Sequence, residues 1–139
     1  MKLVFDQDIT FSAAHYIPNH EKCSAIHGHT YFVKGLTVSV QGDKLNSDGM
    51  LIDFGIIKSY FKEHWDHRFI VPMSDHTKWK EILFIPEQVL SLKPVWYTTC
   101  EYMAKIIKDE LESMLFKATG TQTEVSFLLT EGPGQGVHV

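Results

Sequence analysis

Three histidines and a cysteine near the N-terminus are the residues of this chain best placed for chemistry: His15, Cys23, His27 and His29. The local text is Cys23-Ser24-Ala25-Ile26-His27-Gly28-His29. Three neutral imidazoles can bind a zinc ion and leave its fourth position open, the pattern of a catalytic rather than a structural zinc. His27 and His29 are two apart, so on a strand both rings share one face, and Gly28 adds no bulk between them. His15 ends a neighbouring apolar-alternating segment, and antiparallel pairing of the two would bring all three rings together. If Cys23 is not a ligand, it is a thiol held close to a Lewis acid, able to act on protons or substrate carbons. Free cysteine is often just a small buried apolar residue, but Cys23 stands in a polar loop with Glu21, Lys22 and Ser24. Cys100 falls at a helix start and receives no catalytic role. His20, His64, His76 and His138 have no metal-ligand context and are read as ordinary residues.

Other candidates come later in the chain. Asp66-His67 follows Trp65 at the end of a helix. It reads either as a helix terminus with a dipole-compatible histidine or as a base with the carboxylate that orients it. Glu131 stands where a strand meets Gly132-Pro133-Gly134. A carboxylate fixed there could accept paired N–H bonds from a guanidine-like edge, or it is a solvated turn residue.

The elements that must position these residues follow from periodicity. Lys2 to Ala14 alternates through Leu3, Phe5, Ile9 and Phe11 and predicts a strand. His29 to Gln41 carries Leu36, Val38 and Val40 and predicts a second. Ile17 to Ala25 reads as loop, and Gln41 to Gly49 as turn chemistry. Asp53 is a helix N-cap, followed by Phe54, Ile57, Phe61 and Trp65 at helical spacing. Ile70 to Trp96, broken by Pro72, Pro86 and Pro94, is expected to be mostly irregular. Thr98-Thr99-Cys100-Glu101 fits a capping box opening a second helix with an apolar stripe of Met103, Ile106, Ile107, Leu111 and Met114. Thr123 to Thr130 alternates as a strand, and Val137 to Val139 closes a last short one. The order strand, strand, helix, helix, strand, strand predicts an α+β fold, a sheet covered on one face by two helices. The uncovered face and the sheet edges would need partners, which favours oligomerisation.

The bulk numbers bound the function. A chain of 139 residues fits one domain spanning 1–139. Hydrophobic residues at 44% suffice for a core, and a formal charge of -4 argues against a nucleic-acid or anionic-membrane surface. An acid at position 6 comes too early for the apolar region of a signal peptide, and no apolar run approaches membrane-spanning length. Two distant cysteines suggest no disulfide scaffold, so a cytoplasmic location is expected.

Taken together, the motifs resemble the 6-pyruvoyl-tetrahydropterin synthase / 6-carboxytetrahydropterin synthase family. The matching text is Phe11-Ser12-Ala13-Ala14-His15, Cys23-x-x-x-His27-Gly28-His29, and Gly49-Met50-Leu51-Ile52-Asp53-Phe54. It continues with Trp65-Asp66-His67-Arg68-Phe69, Thr98-Thr99-Cys100-Glu101-Tyr102-Met103-Ala104 and Thr130-Glu131. These cover most of the chain in order; Ile70 to Trp96 finds no match. The resemblance implies a tunnelling fold: a four-stranded antiparallel sheet with two helices (ββααββ), assembled as trimers or hexamers with active sites between subunits. It implies His15, His27 and His29 as Zn²⁺ ligands and Cys23 as the catalytic thiolate. Asp66 with His67 would be a proton-relay pair from a neighbouring subunit. Glu131 would anchor the aminopyrimidine edge of a pterin, with Thr99 and Glu101 in the same pocket.

Three residues separate Cys23 from His27, similar to the 6-carboxytetrahydropterin synthases of the deazapurine (queuosine or archaeosine) pathway; the pyruvoyl-forming enzymes typically place five there. The implied substrate is 7,8-dihydroneopterin triphosphate, and the implied products are 6-carboxy-5,6,7,8-tetrahydropterin, acetaldehyde and triphosphate. Three alternatives stay open. One is the pyruvoyl-forming synthase on the same site. Another is a zinc- or pterin-binding module without turnover, which would not need Cys23. The third is an aldolase-type relative, which generally lacks the three-histidine site.

Overall fold

The computed structural model describes residues 1–139. Seven strands form one sheet: β1 (Lys2–Val4), β2 (Ile9–His15), β3 (His27–Val40), β4 (Arg68–Pro72), β5 (Leu92–Val95), β6 (Thr123–Glu131) and β7 (Gly136–His138). Two long helices, α1 (Phe54–His64) and α4 (Cys100–Thr119), and two short ones, α2 (His76–Ile82) and α3 (Pro86–Leu90), complete the chain. The order across the sheet is β5-β4-β2-β3-β6-β7, with β1 also paired to β3. The antiparallel core β2-β3-β6-β7 and the two long helices are the expected ββααββ frame of a tunnelling fold. The extra strands come from two places. The first strand breaks at residues 5–8 into β1 and β2, and the segment expected to be irregular contributes β4 and β5, which pair in parallel with β2 and with each other.

The sheet buries one face. Phe11 and Ala13 of β2, Tyr31, Val33, Leu36, Val38 and Val40 of β3, and Val125, Phe127 and Leu129 of β6 meet Ile57, Tyr60 and Phe61 of α1. They also meet Met103, Ala104, Ile107, Leu111 and Leu115 of α4 in one core. Phe11 stacks on Tyr31 at 4.9 Å. Asp53 caps α1 by accepting from the Gly55 amide, 2.8 Å, as the sequence suggests. Helix α4 starts one residue later than its capping box implies. Thr99 is the N-cap, accepting from Tyr102 N–H, because the Thr98 hydroxyl donates to the Tyr16 carbonyl instead.

A single bulge ties fold to site. On β3, Tyr31 and Val33 have odd numbers while Leu36, Val38 and Val40 have even ones, yet all face the core. In an uninterrupted strand the two sets would face opposite sides. The β3–β6 register shifts between Lys34 and Thr37, and Gly35 there adopts φ 58°. This is the left-handed conformation glycine accepts without a Cβ penalty. The extra residue lets the histidines of β3 share the core side of the sheet with its aliphatic end. No helix is long and apolar enough to cross a membrane.

Candidate active site

The three histidines meet where the register requires. In the β2–β3 ladder His15 lies opposite His27 and Ala13 opposite His29. The ring centroids are 4.6 Å apart for His15–His27, 5.2 Å for His15–His29 and 4.9 Å for His27–His29. One nitrogen from each ring falls in a group with all separations within 4.8 Å, and Cys23 is not in that group.

Hydrogen bonds fix which nitrogens are free. His15 Nδ1 donates to the Thr98 carbonyl at 2.8 Å, and His27 Nδ1 donates to the Ala25 carbonyl at 2.7 Å. A carbonyl only accepts, so each Nδ1 carries the proton and each Nε2 presents a lone pair. His15 is 1% exposed, and its buried Nε2 has no hydrogen-bond partner. Burial holds the pKa of this ring down to about 4, with His27 and His29 adding to the effect and the Thr98 bond opposing it. A buried, neutral, unpartnered imidazole nitrogen facing two others fits a borderline-soft divalent cation. The carbonyl bonds are the outer support that ligating histidines usually have.

Glu131 joins this pole. It sits opposite Tyr31 on β6. Its Oε1 lies 3.9 Å from His15 Nε2 and its Oε2 lies 4.0 Å from His29 Nε2. Oε1 is buried without a partner, as is the Tyr31 hydroxyl. Burial, then the nearby Glu131 and Cys100, push the Tyr31 phenol up. Burial pushes the Cys100 thiol up to about 12, with Glu131 and Glu101 adding to it. Cys100 therefore stays a neutral thiol, in keeping with no catalytic role. Thr99 caps the adjacent α4, so its hydroxyl already has a bond, and Glu101 is exposed in the first turn rather than closing a capping box.

Cys23 is half-buried in the loop between β2 and β3. Its carbonyl accepts from Ile17 N–H at 2.8 Å, and its amide donates to His20 Nδ1 at 3.0 Å. His20, without a role in the sequence reading, thus supports the turn that carries the thiol.

Asp66 and His67 form a pair but not with the histidines. His67 Nδ1 and Asp66 Oδ2 are 2.9 Å apart, and Asp66 Oδ1 accepts from Ser12 N–H at 2.9 Å. Burial works to raise the Asp66 pKa, but the bonds from Ser12 and His67 outweigh it and hold the carboxyl below its usual range. His67 takes φ 57°, uncommon for a residue with a side chain. Its side chain is 85% exposed. It opens on a cleft of about 770 Å³ shared with Ser12, Ala14, Gly28 and Thr30. Those residues alternate with His15, His27 and His29, so the pair serves the opposite face of the sheet from the three imidazoles.

Three supports escape a sequence reading. The carbonyls of Thr98 and Ala25 act through backbone atoms and leave no side-chain signature. Tyr31 reads as a core aromatic, and only the unpartnered hydroxyl beside Glu131 sets it apart. A network around Tyr16 is the third. Its hydroxyl donates to Asp75 Oδ2 at 2.5 Å and accepts from Trp79 Nε1 at 2.9 Å. Burial and the Asp75 bond push this phenol up to about 12, so it remains a donor.

Comparison with known proteins agrees with the site. The profile of the 6-pyruvoyl tetrahydropterin synthase family matches residues 5–139. A Bacillus subtilis protein named 6-carboxy-5,6,7,8-tetrahydropterin synthase is 32% identical over 130 residues, covering 92% of this chain and 78% of the relative. One of the same name from Rickettsia felis is 33% identical over 117 residues, covering 78% and 79%. Among solved structures, an uncharacterized protein from Wolinella succinogenes superposes with a TM-score of 0.68 at 20% identity, covering 100% of this chain and 98% of that one. The 6-pyruvoyl tetrahydropterin synthase of Plasmodium vivax gives 0.62 at 20% identity, covering 100% and 96%. The structural matches share the fold; the profile and the curated relatives carry the kinship, and the chain belongs to the 6-pyruvoyl tetrahydropterin synthase family.

Proposed function

We propose that this chain is a zinc-dependent 6-carboxy-5,6,7,8-tetrahydropterin synthase. It would convert 7,8-dihydroneopterin triphosphate and water to 6-carboxytetrahydropterin, acetaldehyde and triphosphate, in cytoplasmic 7-deazapurine (queuosine or archaeosine) biosynthesis. The observation that carries the reading is the convergence of His15, His27 and His29, two with a backbone carbonyl fixing the tautomer that frees Nε2. The three-residue spacing from Cys23 to His27 and the names of the curated relatives support the carboxy branch.

His15, His27 and His29 would hold the ion. Zinc bound there supplies Lewis acidity that lowers the pKa of the substrate's side-chain hydroxyls and acidifies the neighbouring C–H. Cys23, as thiolate, removes that proton. The Asp66–His67 pair returns a proton elsewhere, with Asp66 fixing the imidazole that donates it. The pair faces away from its own chain's three histidines, so it serves a site completed by a neighbouring subunit of a trimer or hexamer. Glu131 receives the aminopyrimidine edge of the pterin through two charge-assisted bonds; Thr99 and Glu101, at the start of α4, border the same pocket. Moving protons in this way shifts the ring double bond and releases triphosphate without a redox cofactor.

A second reading, the 6-pyruvoyl product, uses the same residues and is favoured by the description of the family profile. Acetaldehyde separates the two. Coupled reduction by alcohol dehydrogenase and NADH would register acetaldehyde in step with substrate loss for the carboxy reaction. Substrate loss with no acetaldehyde would select the pyruvoyl reaction.

A further inference from the structure

The segment from residue 70 to 96, which matches nothing in the motifs above, reaches the active site through one side chain. Asp75 ends the single 3-10 turn after β4, and Trp79 lies in α2. Both bond the Tyr16 hydroxyl, Asp75 Oδ2 at 2.5 Å and Trp79 Nε1 at 2.9 Å. The Tyr16 ring also packs against Phe69 and Trp79, with centroids 6.2 and 6.1 Å away.

Tyr16 stands at a junction. Its predecessor is the metal-pole residue His15. Its own carbonyl accepts from the Thr98 hydroxyl at 2.5 Å, and the Thr98 carbonyl is the group that orients His15. Its successor Ile17 donates its N–H to the carbonyl of Cys23 at 2.8 Å. Three consecutive residues therefore hold the imidazole pole, the outer segment and the thiol-bearing turn. Beside them a cavity of about 360 Å³ lies between α2 and the Ser24–Ile26 stretch, lined by Tyr16, Ser24, Ile26, Trp79 and Ile82. That space lets the turn shift if the Tyr16 anchor is released.

We propose that Tyr16, held by Asp75 and Trp79, is a positioning residue that sets the placement of Cys23 relative to the three histidines. The segment 73–82 is then a buttress for the thiol turn rather than a passive connection. The inference rests on the thiol role proposed for Cys23, and it locates the control of that role outside the site. Misplacing a reacting group by about 1 Å can cost on the order of 100-fold in rate, so loss of one anchor among several is expected to lower kcat on the order of 10-fold.

The test is Tyr16→Phe, which keeps the ring and its packing and removes only the hydroxyl. Three readouts are taken on the full chain. Zinc per chain, by elemental analysis, should match wild type. The kcat should fall while KM stays within about twofold, because Glu131 and its pocket are untouched. The rate of iodoacetamide alkylation at Cys23, resolved by peptide mass spectrometry, should change several-fold while Cys100 does not. Asp75→Asn should act in the same direction, and Tyr16→Phe with Asp75→Asn should be no worse than Tyr16→Phe alone, since both cut one link. Wild-type kcat and wild-type Cys23 alkylation in Tyr16→Phe would overturn the proposal. So would a kcat loss that tracks loss of zinc, or additive losses in the double variant. If wild-type protein forms neither pterin product, the proposed function fails, while the alkylation comparison still decides the role of Tyr16.

Discussion

Glu131→Gln separates pterin anchoring from metal ligation. The carboxylate stands 3.9 Å from His15 Nε2 and 4.0 Å from His29 Nε2, close enough to be mistaken for a fourth ligand. It is nonetheless outside the group of converging nitrogens. Its Oε1 is buried and unpartnered, which is costly for a carboxylate unless a donor arrives with the substrate. The amide keeps the size and one acceptor oxygen but loses the charge and one of two accepting positions. Hydrogen bonds to charged groups contribute about 1.5–3 kcal/mol, against about 1 kcal/mol between neutral partners. Weakening one bond and losing the other removes about 2–3 kcal/mol of substrate binding. At about 1.4 kcal/mol per tenfold, KM should rise about 30- to 150-fold. Initial rates of product formation at saturating zinc give KM, and elemental analysis gives the metal. The expected result is a large rise in KM with one zinc retained per chain. An unchanged KM would remove Glu131 from the pterin pocket, and loss of zinc would make it a ligand.

Further outcomes follow from the same geometry. Cys23→Ala should abolish turnover and leave the zinc content intact; metal loss in that variant would place the thiol in the coordination sphere. Cys23→Ala and His67→Ala should each be inactive alone. Refolded together they should regain roughly a quarter of wild-type activity, the share of sites in random assembly that receive both intact halves. A mixture as dead as its components would contradict sharing between subunits.

In zinc-stripped protein, His15 should make stability fall with acid. Its pKa is about 4 folded against 6.5 ordinarily, so below about pH 6.5 the unfolded chain takes up a proton there that the folded chain refuses. The loss grows until about pH 4 and reaches about 3 kcal/mol at 1.36 kcal/mol per pH unit. Urea titrations of wild type and His15→Gln at pH 7 and 4.5 should show a steeper loss for wild type; parallel losses would refute it. Gly35→Val should destabilise by about 1–2 kcal/mol, because a β-branched residue resists the left-handed conformation that the bulge needs. An unchanged urea midpoint would dissociate the bulge from that conformation.

The parts of the fold that sequence made legible are those encoded in side-chain pattern. Asp53 caps α1 through its own carboxylate, and the apolar stripe of α4 faces the core as its spacing requires. The histidine pole was readable because pairing of His15 with His27 needs only two strands and a turn. What failed to show had a different physical origin. The prolines of the 70–96 segment obscured β4 and β5. Pro72 ends β4 and Pro94 lies in the edge strand β5, positions where a missing N–H is tolerated. The α4 cap moved from Thr98 to Thr99 because Tyr16, distant in sequence, claims the Thr98 hydroxyl. The odd-to-even change of face along β3 depends on Gly35, which carries no side chain to enter an alternation count. The placement of Asp66–His67 away from the imidazoles depends on a backbone bond to Ser12, again invisible to residue type.

The most direct test of the account is mass spectrometry of the pterin formed from 7,8-dihydroneopterin triphosphate by zinc-loaded and zinc-stripped protein. The account expects 6-carboxy-5,6,7,8-tetrahydropterin from the loaded protein and almost none from the stripped one, with restoration on adding zinc. A 6-pyruvoyl product, or equal yield without metal, would contradict it.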